Sequence, residues 1–225
     1  MATATATRIP THTVRRSVGK YSLFSVFAFM LLYVLQHNES FLIQPNHPIW
    51  QHYEPIKWWL LPHGLTAACA ILLGPLQFSD RLRKKYTKLH RVLGRIYIAG
   101  AVIGGPLGAY IQYFEERLGG PRSFSIAAGI DAVLLAGTTL IAFTFILKGN
   151  VQRHRQWMTR SFFVAIVFLE VRVIGGLTGL DQNPAAVETI VWSCLAFALF
   201  AADITIYFQD LIASRPKARA VAAAD

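Results

Sequence analysis

Two His-Arg pairs have the greatest capacity for chemistry in this chain: His90-Arg91 in KLHRVLGR and His154-Arg155 in QRHRQWMTR. Each follows a polar or basic turn and opens an apolar stretch, with a further guanidinium, Arg95 or Arg160, about one helical turn onward. Two neutral imidazoles can ligate one haem iron, and Arg91, Arg95 and Arg155 could then hold the propionates through charge-assisted hydrogen bonds. The same positions at helix N-termini also suit an anionic ligand or lipid headgroup, because unsatisfied N–H groups and the helix dipole favour negative charge there. A plainer role also remains, since Arg and His at the end of a span can set topology and snorkel to headgroups.

A second set consists of ionisable residues inside apolar segments: His63, Asp131, Glu170 and Arg172. Such groups are costly in a bilayer and face the interior, paired or wetted. Counted along their helices, they fall roughly 7 to 12 Å from one membrane surface, with Glu170 slightly deeper. Their mixed signs suit a salt bridge from Arg172 to Asp131 or Glu170, or a proton-coupled path. No metal site is expected. His37, His47 and His52 share one Pro-rich connection at spacings that match no zinc pattern. Cys69 and Cys194 lie in apolar stretches and suggest neither a disulfide nor a metal site.

The elements that position these residues follow from composition. Of 225 residues, 54% are hydrophobic and 15% charged, and mean hydropathy is +0.40. Those values describe a membrane protein. A spanning helix needs roughly 20 apolar residues, and six such runs occur, near 20-36, 58-78, 93-113, 124-147, 157-180 and 186-211. The expected fold is therefore all-α, a six-helix membrane domain at 19-211 between basic tails at 1-18 and 212-225. Its core would be two related helical hairpins, each with His-Arg at a basic tip.

The net charge of +10 argues for a membrane surface and against nucleic acid, because alternating the spans puts it on one side. Only Lys57, Arg117, Arg122 and the intramembrane Arg172 fall elsewhere. Lys and Arg concentrate in cytoplasmic loops, so both termini are expected inside, against anionic headgroups. The plasma (inner) membrane is the expected location, or an organellar membrane in a eukaryotic host. The Ala/Thr-rich N-terminus is free of acids, like a transit peptide, but its basic residues also serve to orient the first span.

Helix contacts are also legible. His63, Thr66, Ala70, Gly74 and Gln77 share one helical face, and Gly100, Gly104 and Gly108 form a doubled small-xxx-small pattern that allows close backbone approach. Pro75 and Pro106 predict kinks or ends.

The string H-G-(x)9-GPLQF, then LHRVLGRIY, a Gly-rich span and HRQWMTRSF with an Arg deeper in the same helix resembles a family of uncharacterised bacterial and fungal membrane proteins classed under a domain of unknown function, over about residues 60 to 175. The resemblance implies membrane topology and marks His63, Gln77, His90, Arg91, Gly94, Arg95, Tyr97, His154, Arg155, Trp157, Met158, Arg160 and Arg172 as recurring positions. It implies no reaction. In architecture alone, same-side histidines on alternate helices are similar to b561-type cytochromes, which gives the haem b expectation its outline.

Overall fold

The computed structural model describes residues 11–39, 41, 44 and 46–222, and among them the chain is helical with no strand. Helix α1 (Thr11–His37) leads through a short α2 (Ile49–Tyr53) and a 3-10 turn, Glu54–Ile56, into α3 (Lys57–Gln77). Then follow α4 (Asp80–Lys85), α5 (Thr87–Arg117), α6 (Arg122–Leu147), α7 (Val151–Ala165), α8 (Val167–Thr178) and α9 (Pro184–Ala222). The N-terminal tail expected at 1-18 lies outside the described residues up to position 10, and the rest of it belongs to α1. The C-terminal tail expected at 212-225 continues α9 as far as Ala222.

Five helical stretches are long and apolar enough to cross a bilayer: Ile49–Gln77, Thr87–Arg117, Arg122–Leu147, Val151–Thr178 and Pro184–Leu211. The sixth expected span, 20-36, falls on α1, where the apolar stretch Phe24–His37 is shorter than the others. The Pro-rich connection before α3 holds α2 between Pro48 and Pro55, a single turn braced by Trp50, whose indole N–H donates to the Phe41 and Gln44 carbonyls at 3.2 Å.

Turn chemistry sets the ends of these helices. Ser79 caps α4, its Oγ accepting from the Leu82 N–H at 3.4 Å, and Asn150 caps α7, its Oδ1 accepting from the Arg153 N–H at 3.1 Å, each satisfying a donor that the first helical turn leaves open. The α6–α7 link is only Lys148, Gly149 and Asn150, and Gly149 takes φ +73°, a left-handed conformation that costs glycine little. Helix α3 ends two residues after Pro75, whereas α5 continues past Pro106.

The α3 stripe meets the α5 glycines in antiparallel register. His63 lies over Gly108, Thr66 over Gly104, Ala70 over Gly100, Gly74 beside Tyr97 and Gln77 over Gly94. Without a Cβ on α5 the backbones close up, so helix association rests on dispersion and small-residue packing, as expected where lipid removes the hydrophobic drive. Around this seam, Ala70, Tyr97, Ala101, Leu135, Ala142, Met158 and Val164 form a core drawn from α3, α5, α6 and α7.

The span expected to be continuous over 157-180 is interrupted. Ile166, at φ −96° and ψ 0°, separates α7 from α8. On the α8 side, packing changes partners: Val167 and Val171 join Ala127 of α6 and Val191, Cys194, Leu195 and Ala198 of α9, while Ile166, Leu169 and Val173 pack on Val34 of α1. Outward-facing Leu32, Leu65, Val133, Leu147 and Phe200 remain exposed. In water such a surface would drive association; in a bilayer it is the surface that lipid tails cover.

Candidate functional site

Helix register places both His-Arg pairs at the basic end of the bundle. Helices α5 and α7 both start at this end, and two turns in, Tyr97 of α5 and Ser161 of α7 share a hydrogen bond of 2.7 Å between Oη and Oγ. Ser161 also bonds Thr139 Oγ1 of α6 at 2.7 Å, and Thr139 donates to the Leu135 carbonyl at 2.6 Å. All three hydroxyl-bearing residues are fully buried. His90 stands seven residues before Tyr97, and His154 seven before Ser161. A seven-residue step returns to nearly the same helical face, so the faces that carry the Tyr97–Ser161 bond also carry the two imidazoles. They are electrostatic neighbours, and Arg83 and Arg91 complete the charges around His90.

The two imidazoles are held differently. His154 Nδ1–H donates to the Ala142 carbonyl at 2.8 Å, which fixes the tautomer and leaves the Nε2 lone pair available. His90 Nδ1 is buried with no hydrogen-bond partner, and the same holds for Gln77 Nε2. The Gln77 side chain packs on Gly94, where a Cβ would lie 3.2 Å from its Oε1. Buried polar atoms without partners are uncommon and call for an explanation, an absent ligand or water among them. Among the described residues, no group of three or more His, Cys, Asp or Glu is placed to hold a metal ion.

The arginines diverge. Arg160, expected at an anion site, instead clamps α7 to α9: its Nε and Nη2 reach Asp203 Oδ1 at 2.9 and 2.7 Å, and its guanidinium lies 4.9 Å from the Trp157 ring centroid. Arg95 lines a groove on the α5–α6 surface. Reversing the clamp as Arg160→Glu/Asp203→Arg is expected to recover most of the stability lost by either single change. The coupling should be only about 0.5 kcal/mol, because Asp203 is 62% exposed and exposed pairs contribute little. A double-mutant cycle of thermal unfolding in detergent checks this.

At the opposite end, the four residues expected to form one polar layer engage other partners. His63 Nδ1–H donates to the Gly104 carbonyl at 3.0 Å, which makes it part of the α3–α5 seam. Arg172 pairs with Glu39, just beyond α1, not with Asp131 or Glu170. Helix α8 packs against α1 and so carries Arg172 towards it. Asp131 is buried with Oδ1 unpartnered, and Glu170 is half-buried. His52, from the connection before α3, bonds Glu115 at the end of α5 at 2.9 Å.

Ser161, Thr139 and Glu39 were missed by sequence reasoning. Hydroxyls inside helices usually bond their own preceding turn, as Thr138 and Thr178 do here. The available signal was the equal seven-residue offset from His90 to Tyr97 and from His154 to Ser161.

No solved structure matches the chain. No curated protein matches it either. A family model described as "Predicted membrane protein (DUF2306)" matches residues 60–206, which include α3 to α8 apart from the first turn of α3 and reach far into α9. That range contains both His-Arg pairs, the α3–α5 seam and the Tyr97–Ser161–Thr139 chain; this multi-pass membrane protein belongs to that family.

Proposed function

We propose that the protein binds a b-type haem at the basic end of its bundle, with His90 and His154 as the iron ligands and both chain termini on the cytoplasmic side of the plasma membrane. The single observation that carries the reading is that the two imidazoles are electrostatic neighbours at the basic end, on the helix faces that carry the Tyr97–Ser161 hydrogen bond. Their chemistry fits the group: the His154 backbone bond leaves Nε2 free to ligate, and the unpartnered His90 Nδ1 marks a ring whose polar needs the protein alone does not meet. Arg83 and Arg91 beside His90 supply positive charge for propionates. When bound, haem would supply one-electron redox chemistry. The chain's own part is to orient the imidazoles, fix the His154 tautomer and keep the site at the membrane surface. The orientation rests on the concentration of Lys and Arg at this end.

The buried, unused donor Gln77 Nε2 favours a second reading, in which the same mouth binds an anionic ligand without redox chemistry.

An absorption spectrum of the purified protein, oxidised and then reduced with dithionite, separates the two. The haem reading expects a Soret band with sharp reduced α and β bands, lost in both His90→Ala and His154→Ala. A featureless spectrum from folded protein expressed with ample haem would sink it. Titration with inorganic phosphate then tests the second reading: binding should weaken in Gln77→Leu and in Arg91→Gln.

A further inference from the structure

Arg95 points to a separate binding site on the lipid-facing side of the bundle. It stands at one end of a groove of ≈ 370 Å³ between α5 and α6, near the lower end of the range of small-ligand sites. The rest of the lining is Ile98, Ala99, Val102 and Ile103 of α5 with Leu140 and Phe143 of α6. None of these side chains carries a hydrogen-bonding group. The α5 members follow Arg95 at offsets of three, four, seven and eight, so they form one stripe running roughly 12 Å along the helix from the charge.

Arg95 makes no hydrogen bond or ion pair with any described residue, in contrast to Arg160 and Arg172. It lies two turns inside α5. A cation at that depth is costly unless paired or drawn to the interface. An apolar groove of about 12 Å with one unpaired guanidinium at its headgroup end is complementary to an amphiphile with an anionic head and an acyl tail.

We propose that the α5–α6 groove holds one chain of an anionic phospholipid, with its phosphate on Arg95. The surrounding leaflet is the source, and the basic α4 segment beside α5, DRLRKK, adds to the local attraction for anionic headgroups. This site is independent of the imidazole pair and stands whether or not His90 and His154 bind haem.

Native mass spectrometry of the full chain in detergent, titrated with phosphatidylglycerol or phosphatidylcholine, tests it. Wild type is expected to retain one phosphatidylglycerol with a preference of about fivefold over phosphatidylcholine, the size expected for one arginine at the interface. Arg95→Gln should erase the preference, and Arg95→Lys should keep most of it. Ala99→Trp fills the groove while leaving Arg95 in place, and it should abolish tight retention. Ala99 faces outward, so this variant is expected to fold, and its unfolding temperature checks that. Equal retention of the two lipids by wild type, an unchanged preference in Arg95→Gln, or undiminished retention in folded Ala99→Trp would each overturn the proposal. So would release of the bound phosphatidylglycerol by inorganic phosphate alone, since the tail would then contribute nothing.

Discussion

Gly100→Ala is expected to lower the stability of the bundle by about 2 to 3 kcal/mol, the upper part of the range for overpacking a close-packed interface. A Cβ at this position would lie 2.6 Å from the Thr66 carbonyl oxygen and 3.2 Å from the Ala70 amide nitrogen. Both atoms belong to the α3 backbone, so no side-chain rotation relieves the clash and the two helices must separate. That movement would also lengthen the His63 hydrogen bond to the Gly104 carbonyl, now 3.0 Å, one turn further along the same seam. The control is Gly129→Ala on α6, where an added Cβ meets nothing within 4 Å. It should be neutral or slightly stabilising, because alanine is the better helix former. Thermal or denaturant unfolding in a fixed detergent compares the two, and equal effects would refute the backbone-contact account of the α3–α5 seam.

Ser161→Ala is the second large effect expected, a loss of about 1 to 3 kcal/mol from stranding buried polar groups. Ser161 Oγ stands between Tyr97 Oη and Thr139 Oγ1, each at 2.7 Å. Removing it leaves the Tyr97 hydroxyl in a fully buried position without that partner, whereas Thr139 keeps its bond to the Leu135 carbonyl. Tyr97→Phe should cost less, because Ser161 and Thr139 still satisfy one another. In the double variant the two losses should not add, with a coupling above about 0.5 kcal/mol. Additive losses would show that the three hydroxyls act separately and do not form one buried chain.

These two predictions concern different kinds of information. The glycine seam was legible because small-xxx-small spacing and a polar stripe both repeat with the helical period, and each could be read locally from one helix. The hydroxyl chain was only half legible. Tyr97 stood in a recognisable string, LHRVLGRIY, but Ser161 and Thr139 look like ordinary helix hydroxyls until three helices are packed together. The fate of the arginines was less legible still. Arg95 and Arg160 occupy similar positions one turn after their His-Arg pairs, yet α9 brings Asp203 to Arg160 while Arg95 faces the α5–α6 groove.

The sequence by itself determined that this is an all-helical membrane protein, where most of its spans fall, which end is basic and which face of α3 is small and polar. Those properties depend on composition and on periodicity within single helices, where the backbone must satisfy its own hydrogen bonds. Only the tertiary structure decided that His63 bonds Gly104, that Arg172 pairs with Glu39, and that Arg160 pairs with Asp203. Each of those outcomes depends on which helix lies beside which, as α8 lies beside α1 and α9 beside α7. An ionisable group in an apolar segment announces that it needs a partner. The partner's identity is fixed only when the packed helices bring particular side chains within hydrogen-bonding distance.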